Sequence, residues 1–277
     1  MLEAILPAVA CVAGIGLLCA VVLVVAAKLM SVRENALEKK LRECLPGVNC
    51  GACGYTGCDG YAKALADKTE KKTNLCIPGA DAVSEQISEI LGVTFQNTVE
   101  QVAAVHCCGD CEHAVQKADY SGVQTCSGAK MLYGGQQACT YGCLGKGDCA
   151  AICPFDAIYM DKGIAHIYTP KCVGCGLCVK TCPNQIITLI PDVKREVIAC
   201  SNKEKGAVVR KKCTNGCIAC HKCEKECPTG AITVEENLAR IDYDKCIDCG
   251  KCAQVCPVGC ILSEDRYGRH RFAEPQR

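Results

Sequence analysis

Cys246-Ile247-Asp248-Cys249-Gly250-Lys251-Cys252-Ala253-Gln254-Val255-Cys256-Pro257 is the stretch that decides the fold. It reads C-x2-C-x2-C-x3-C-P. The same pattern stands at Cys172, Cys175, Cys178, Cys182 and Pro183, and again at Cys217, Cys220, Cys223, Cys227 and Pro228. A cubane iron–sulfur cluster needs four thiolates directed at four irons. Three cysteines at x2 spacing wrap one loop around such a cluster, and Gly174, Gly176 and Gly250 let the backbone come close to it. A pair of C-x2-C units could instead make a tetrahedral zinc site. Zinc does not account for a third cysteine at x2 and a fourth before proline, repeated.

The fourth cysteine cannot reach its own loop's cluster, because the proline redirects the chain. In two-cluster ferredoxins that cysteine ligates the other cluster. Working outward, Cys153-Pro154 and Cys182-Pro183 are 29 residues apart, and so are Cys227-Pro228 and Cys256-Pro257. This is an internal repeat of a two-motif unit. The apolar runs that follow, Ala157-Ile158-Tyr159, Ile186-Ile187, Ala231 to Val234 and Cys260-Ile261-Leu262, predict short strands. One arm is expanded: Cys139-x3-Cys143-x5-Cys149-x3-Cys153-Pro154. Cross-ligation then assigns four clusters. They are Cys139, Cys143, Cys149 and Cys182; Cys172, Cys175, Cys178 and Cys153; Cys217, Cys220, Cys223 and Cys256; and Cys246, Cys249, Cys252 and Cys227.

A fifth set differs in pattern: Cys50-Gly51-Ala52-Cys53, then Cys58, then Cys76 before Ile77-Pro78-Gly79. Helix-favouring residues from Tyr61 to Lys68 would return Cys76 to the same cluster. Zinc is less firmly excluded here. Cys107, Cys111, Cys126 and Cys200 form a candidate sixth set, with Cys213 or Cys108 as substitutes, against the alternative of buried structural thiols. Cys44 and Cys260 read as unligated. Residues 81–105 lack cysteine, and Val83, Ile87, Ile90 and Leu91 fall at helical spacing, as in a packing helix.

Composition agrees. The chain holds 30 Cys in 277 residues, with 3 Phe and no Trp, so a large aromatic core is not available to hold it together. The net charge of +1 leaves no basic footprint for nucleic acid. No G-x-G-x-x-G follows a strand and no P-loop is present, so no nucleotide site is expected. The five His show no pairing that suggests a metal or haem site.

From Ala4 to Ala27 no residue is charged. That run suits a helix across a ~30 Å hydrocarbon core. It is too long for a cleaved signal peptide, and the leader has Glu3 and no basic residue. Cys11 and Cys19 within it read as small apolar side chains. Lys28, Arg33, Lys39, Lys40 and Arg42 follow the run and none precedes it, which places the cysteine-rich part in the cytoplasm. Thiols stay reduced there, which argues against disulfides. The expected fold class is α+β: a transmembrane anchor over 1–30, a linker over 31–42, and a four-Cys iron–sulfur domain over 43–80. A helical linker over 81–137 and two ferredoxin-like modules over 138–200 and 201–277 complete it.

Leu45-Pro46 before Cys50-Gly51-Ala52-Cys53-Gly54, then Tyr141-Gly142-Cys143-Leu144-Gly145 and Asp148-Cys149 leading to Cys153-Pro154-Phe155-Asp156-Ala157-Ile158, resemble the B component of the Rnf (Rsx) complex, an ion-translocating ferredoxin:NAD oxidoreductase. The two modules resemble the long form of that component. The resemblance implies a bacterial inner-membrane translocase. In it, this chain would take electrons from soluble ferredoxin on the cytoplasmic side through five or six [4Fe–4S] clusters. Other membrane subunits, with flavins and the nicotinamide site, would couple the reaction to Na⁺ or H⁺ export. Two further readings fit the motifs: a stand-alone membrane polyferredoxin and a redox sensor. The sensor would need an output domain, and none is visible.

Overall fold

The computed structural model describes residues 2–29, 35–94, 100–194 and 196–263. Arg33, the side chain of Cys11 and the stretch 264–277 lie outside the described residues. Leu2–Leu29 forms one 28-residue helix, α1. Its apolar residues from Ile15 to Val25 are exposed. Among the described residues no helix is long and apolar enough to cross a membrane. The transmembrane role expected of residues 1–30 is therefore not a finding of the structure; the helix is.

Three helices build the first cysteine-rich unit: α2 (Ala36–Cys44), α3 (Cys58–Ala66) and α4 (Ala80–Leu91). Asn35 caps α2, its side chain accepting from Leu37 N at 3.1 Å, a bond that satisfies one of the helix's orphan donors. Leu41 of α2, Tyr61 and Leu65 of α3, and Val83 and Ile87 of α4 form a common core around Cys58 and Cys76. The spacing of Val83, Ile87, Ile90 and Leu91 does produce a packing helix. Gly92, at φ 65°, ends it with a left-handed cap.

Two units of like topology follow. The first runs β1 (Gln101–Val105), α5 (Cys126–Met131), α6 (Asp148–Ala151), β2 (Ile158–Asp161), β3 (Ile164–Ile167), α7 (Leu177–Thr181) and β4 (Ile187–Pro191). The second runs β5 (Val197–Ile198), α8 (Gly206–Lys212), α9 (Lys222–Glu226), β6 (Ile232–Glu235), β7 (Leu238–Ile241), α10 (Lys251–Val255) and β8 (Ile261–Leu262). In each, a central antiparallel hairpin (β2–β3, β6–β7) sits between two short helices, and an outer antiparallel pair (β1–β4, β5–β8) closes the unit. The hairpins turn through Lys162-Gly163 and Glu236-Asn237, all at positive φ, as two-residue turns matched to strand twist require. All four apolar runs after Cys-Pro form strands. β1 lies within the stretch expected to be helical linker, yet it pairs with β4, Val105 opposite Ile187.

Cysteine replaces much of the missing aromatic core. Cys143, Cys149 and Cys178 pack with Ile158, Ile164, Ile167 and Ile187. Cys217, Cys223 and Cys252 pack with Ile198, Ile232 and Ile261. The two units are tied edge to edge: Cys108 N donates to Ala199 O at 3.0 Å, Val115 N to Lys212 O at 2.8 Å, and Thr214 N to His113 O at 3.0 Å.

Candidate iron–sulfur centres

Each short helix after a cysteine loop carries one cysteine inside it and another just past its end. Cys149 and Cys153 belong to α6, Cys178 and Cys182 to α7, Cys223 and Cys227 to α9, and Cys252 and Cys256 to α10. Four residues of helix rise about 6 Å. The two thiols of one helix therefore serve neighbouring cavities, which is the geometry of cross-ligation. The residue before each helix turns left-handed: Gly147, Gly176, Gly250 and, without glycine's freedom, His221 at φ 57°. Gly174 admits no other residue, because a Cβ there would lie 2.3 Å from Gln101 O.

Four small cavities of like size, each about 20 Å³, open among these thiols. Cys50, Cys53, Cys58 and Cys76 line one, beneath Leu45, Pro46 and Tyr61. Cys153, Cys172, Cys175 and Cys178 line the next, with Ala103 and Ile158. These are two of the sets the motifs predict. Lys180 bridges them, its Nζ donating to Cys50 O at 3.2 Å.

The third cavity departs from the spacing argument. Its thiols are Cys126, Cys143, Cys149 and Cys182. Cys139, expected in that set, is absent from it. Cys126, expected in the sixth set, takes its place. Its loop is pinned there by Asp148, whose carboxylate accepts from Cys126 N at 2.9 Å and from Ser127 N at 3.3 Å. The expanded loop between Cys143 and Cys149 has no thiol of its own at the middle position, so an upstream segment supplies one. Cys139 turns instead into a fourth cavity, shared by both units and lined by Cys107, Cys108, Cys139, Cys200 and Cys213. The expected grouping of Cys107, Cys111, Cys126 and Cys200 is thus not brought together. Cys111 is exposed and lines none of these four cavities.

In the second unit the thiols influence one another within the predicted groups and, between Cys223 and Cys252, across them. Burial first, then Cys217, Cys220 and Cys256, raise Cys223, to about 11. Cys246 is raised by burial and, among thiols, by Cys227. Cys260, unligated by its place outside the motifs, is not remote from them. Its Sγ lies 3.6 Å from Cys256 Sγ, and its hydrogen bond holds Cys256 well below the usual thiol range.

Backbone N–H groups point at sulfur throughout: Ala103 N to Cys172 at 3.4 Å, Cys143 N to Cys107 at 3.3 Å, Cys217 N to Cys200 at 3.3 Å and Asp248 N to Cys246 at 3.4 Å. Such donors favour thiolate. Burial opposes it, pushing Cys76 up to about 11 and Cys149 and Cys178 up to about 12. Grouped thiols that apolar walls keep protonated, yet that accept N–H bonds, fit a cationic metal core whose charge would deprotonate them. Soft sulfur donors in sets of four, or five in the shared cavity, in cavities of one size, fit [4Fe–4S] clusters.

Known sequences agree. Residues 45–78 match a family model described as "Putative Fe-S cluster", and residues 171–231 and 216–260 match "4Fe-4S dicluster domain". Over 246 residues the chain is 42% identical to the B component of the Na(+)-translocating ferredoxin:NAD(+) oxidoreductase complex of Acetobacterium woodii, an alignment spanning 88% of this chain and 74% of that protein. The chain belongs to the family of Rnf complex B components. Two further relatives are of similar closeness. The B component of the proton-translocating ferredoxin:NAD(+) oxidoreductase complex of Clostridium ljungdahlii is 39% identical over 82% of this chain and 81% of its own length. The B component of the ion-translocating oxidoreductase complex of Methanosarcina acetivorans is 38% identical over 88% and 93%. As a member of this Rnf family the chain is one subunit of an ion-translocating oxidoreductase, and its 4Fe–4S domains assign it an electron-transfer role within such a complex.

Proposed function

We propose that this chain is the electron-input subunit of a membrane-bound ferredoxin:NAD oxidoreductase coupled to Na⁺ or H⁺ translocation. The observation that carries this reading is the pairing of cysteines along single helix turns, Cys149 with Cys153 and Cys178 with Cys182, so that adjacent four-thiol cavities share a helix. A bound [4Fe–4S] cluster supplies one-electron storage at each. The chain's residues do the rest. Cys50, Cys53, Cys58 and Cys76 hold the site nearest α1 along the chain. Cys153, Cys172, Cys175 and Cys178 hold the next. Cys126, Cys143, Cys149 and Cys182 hold the third. Cys217, Cys220, Cys223 and Cys256, with Cys246, Cys249, Cys252 and Cys227, hold two more in the second unit. Ile158, Ile187, Ile232 and Ile261 exclude water from them. A hydride from NADH cannot enter such a conduit directly, so flavin-containing partner subunits stand between it and the nicotinamide.

α1 anchors the chain as a single membrane span, with the cysteine-rich units in the cytoplasm, where soluble ferredoxin is the donor. The uncharged run from Ala4 to Ala27 and the basic residues after it support this. A fluorescent reporter active only in the cytoplasm, fused after Arg277, is expected to light. The decisive assay is reduction of the anaerobically purified full chain. Reduced ferredoxin should bleach its visible absorbance, and NADH alone should not. Rapid bleaching by NADH, or none by ferredoxin, would sink the reading.

A further inference from the structure

The shared cavity is where the two units meet, and its thiols come in two matching pairs. Cys139-Thr140-Tyr141-Gly142-Cys143 in the first unit corresponds to Cys213-Thr214-Asn215-Gly216-Cys217 in the second. Cys107 stands two residues past the end of β1, as Cys200 stands two past the end of β5. The contacts repeat as well. Cys107 Sγ accepts from Cys143 N, and Cys200 Sγ accepts from Cys217 N, both at 3.3 Å. Each unit thus offers one thiol after its outer strand and one from its C-T-x-G-C turn, and the cavity between them measures about 20 Å³, like the other three.

Five thiols line this cavity, and their hydrogen bonding separates four from the fifth. Cys107 and Cys200 accept backbone N–H bonds, from Gly109 and Asn202 as well as from the two amides above. Cys213 accepts from Asn215 N and Gly216 N. Cys139 accepts from Asn202 Nδ2 at 3.4 Å. Cys108 differs: besides accepting from its own backbone N–H, its Sγ donates to a carbonyl, Asn215 O, at 3.6 Å, as a thiol that keeps its proton does. A Cβ placed on Gly142 would lie 3.4 Å from Cys107 Sγ and 3.7 Å from Cys139 Sγ, and one on Gly109 would lie 3.1 Å from Cys213 Sγ and 3.9 Å from Cys107 Sγ. Glycine at both positions leaves the space among the thiols open.

We infer that Cys107, Cys139, Cys200 and Cys213 bind a sixth [4Fe–4S] cluster at the junction of the two ferredoxin-like units, each unit supplying two ligands. Its place gives it a role. Cys107 contacts Cys143 of the third cavity on one side, and Cys200 contacts Cys217 of the second unit on the other. The site is a bridge: single electrons held in the second unit reach the first, and then the site beside α2, through it. This rests on the iron–sulfur reading above, and the test separates the two.

The full chain is purified anaerobically, and iron, acid-labile sulfide and zinc are counted per chain. Wild type is expected to hold about 24 iron, and Cys213→Ala and Cys139→Ala each about 20, with an equal loss of sulfide. Cys108→Ala and Cys111→Ala should hold as much as wild type. As a milder pair of variants, Cys213→Ser and Cys139→Ser offer oxygen in place of sulfur. In an EPR-monitored redox titration each should displace the same single component and leave the others in place. Wild type with about 20 iron, unchanged in Cys213→Ala, overturns the sixth cluster while leaving the proposed function standing. One zinc lost from Cys213→Ala, with iron constant, overturns it too. Loss from Cys108→Ala with none from Cys107→Ala overturns the ligand set. Wild type with little iron at all would instead defeat the wider reading.

Discussion

The two ferredoxin-like units are built on one plan, and three of the places where they differ bear on their cages. Superposing their motifs sets Cys143 with Cys217, Cys149 with Cys223, and Cys182 with Cys256. At the middle position the second unit has Cys220 in its own loop, whereas in the first unit Cys126, from upstream, lines the cavity with Cys143, Cys149 and Cys182. Four residues past the Cys-Pro cysteine the first unit has Ile186 and the second has Cys260, both 2% exposed. Two residues before the end of the first outer strand, the first unit has Ala103 and the second, Glu196, both buried. The frame of hairpin, short helices and outer strand pair survives all three exchanges. What the comparison teaches is that the cage fixes where a ligand must stand, while the segment that brings it there is free to change.

The borrowed ligand makes the strongest test. Cys126→Ala should lower iron by about four, as Cys220→Ala should in the second unit. If the first unit instead uses Cys139 in that cavity, Cys126→Ala will keep its full complement of iron.

Cys260 separates the units next. Removing Cys182 leaves Ile186 as the nearest counterpart, which cannot ligate, so Cys182→Ala should lose about four iron. Cys256→Ala has a thiol already 3.6 Å from the vacated sulfur. It is expected to retain its iron through Cys260, and the double variant Cys256→Ala, Cys260→Ala to lose it. Equal loss from Cys182→Ala and Cys256→Ala would erase the distinction.

A smaller effect concerns how Cys126 is held. Asp148 accepts two amide bonds from that loop, and Lys222 stands at the corresponding place in the second unit. Hydrogen bonds to a charged group contribute about 1.5–3 kcal/mol. Asp148→Ala should therefore speed iron loss to a chelator from one cluster only, the one in the first unit. Uniform acceleration across all clusters would point to general unfolding instead.

The smallest expected effect is electrostatic. Burial, and after it the charge of Asp248, push the Glu196 carboxyl up to about 7. Its Oε2 has no hydrogen-bond partner among the described residues. Its charge in turn helps raise Cys252, after burial, to about 12. Above that carboxyl's pKa, a buried negative charge disfavours an added electron nearby. Glu196→Gln should raise one midpoint potential by about 60 mV, a tenfold change for a one-electron couple. Below the pKa the carboxyl is neutral, and the two proteins should titrate alike. A shift that persists in acid would mean that packing, not charge, separates Glu196 from Ala103.

Much of this was legible in the chain itself. The C-x2-C-x2-C-x3-C-P pattern is a local constraint: three thiols on one loop and a proline after the fourth leave few geometries, so the strands after each Cys-Pro and the shared cavity of Cys172, Cys175 and Cys178 follow from spacing, as the different C-x2-C-x4-C run does for Cys50, Cys53 and Cys58. The period of Val83 and Ile87 likewise specifies a packing helix, because burial of one face depends only on sequence distance. The uncharged run from Ala4 to Ala27 forms a single helix, α1. Where thiols come from far apart, spacing carries no information. Cys126 lies too far upstream of Cys143 for a loop motif to connect them, and Cys107, Cys139, Cys200 and Cys213 meet only because two units dock through Cys108, Val115 and Thr214. The one sequence signal for that meeting was the repeated C-T-x-G-C, which pairs Cys139 with Cys213 rather than with a loop ligand. Local motifs determined which cysteines could cage metal. Which distant cysteines share a cage was decided by backbone pairing between elements, since only the folded chain sets the distance between them.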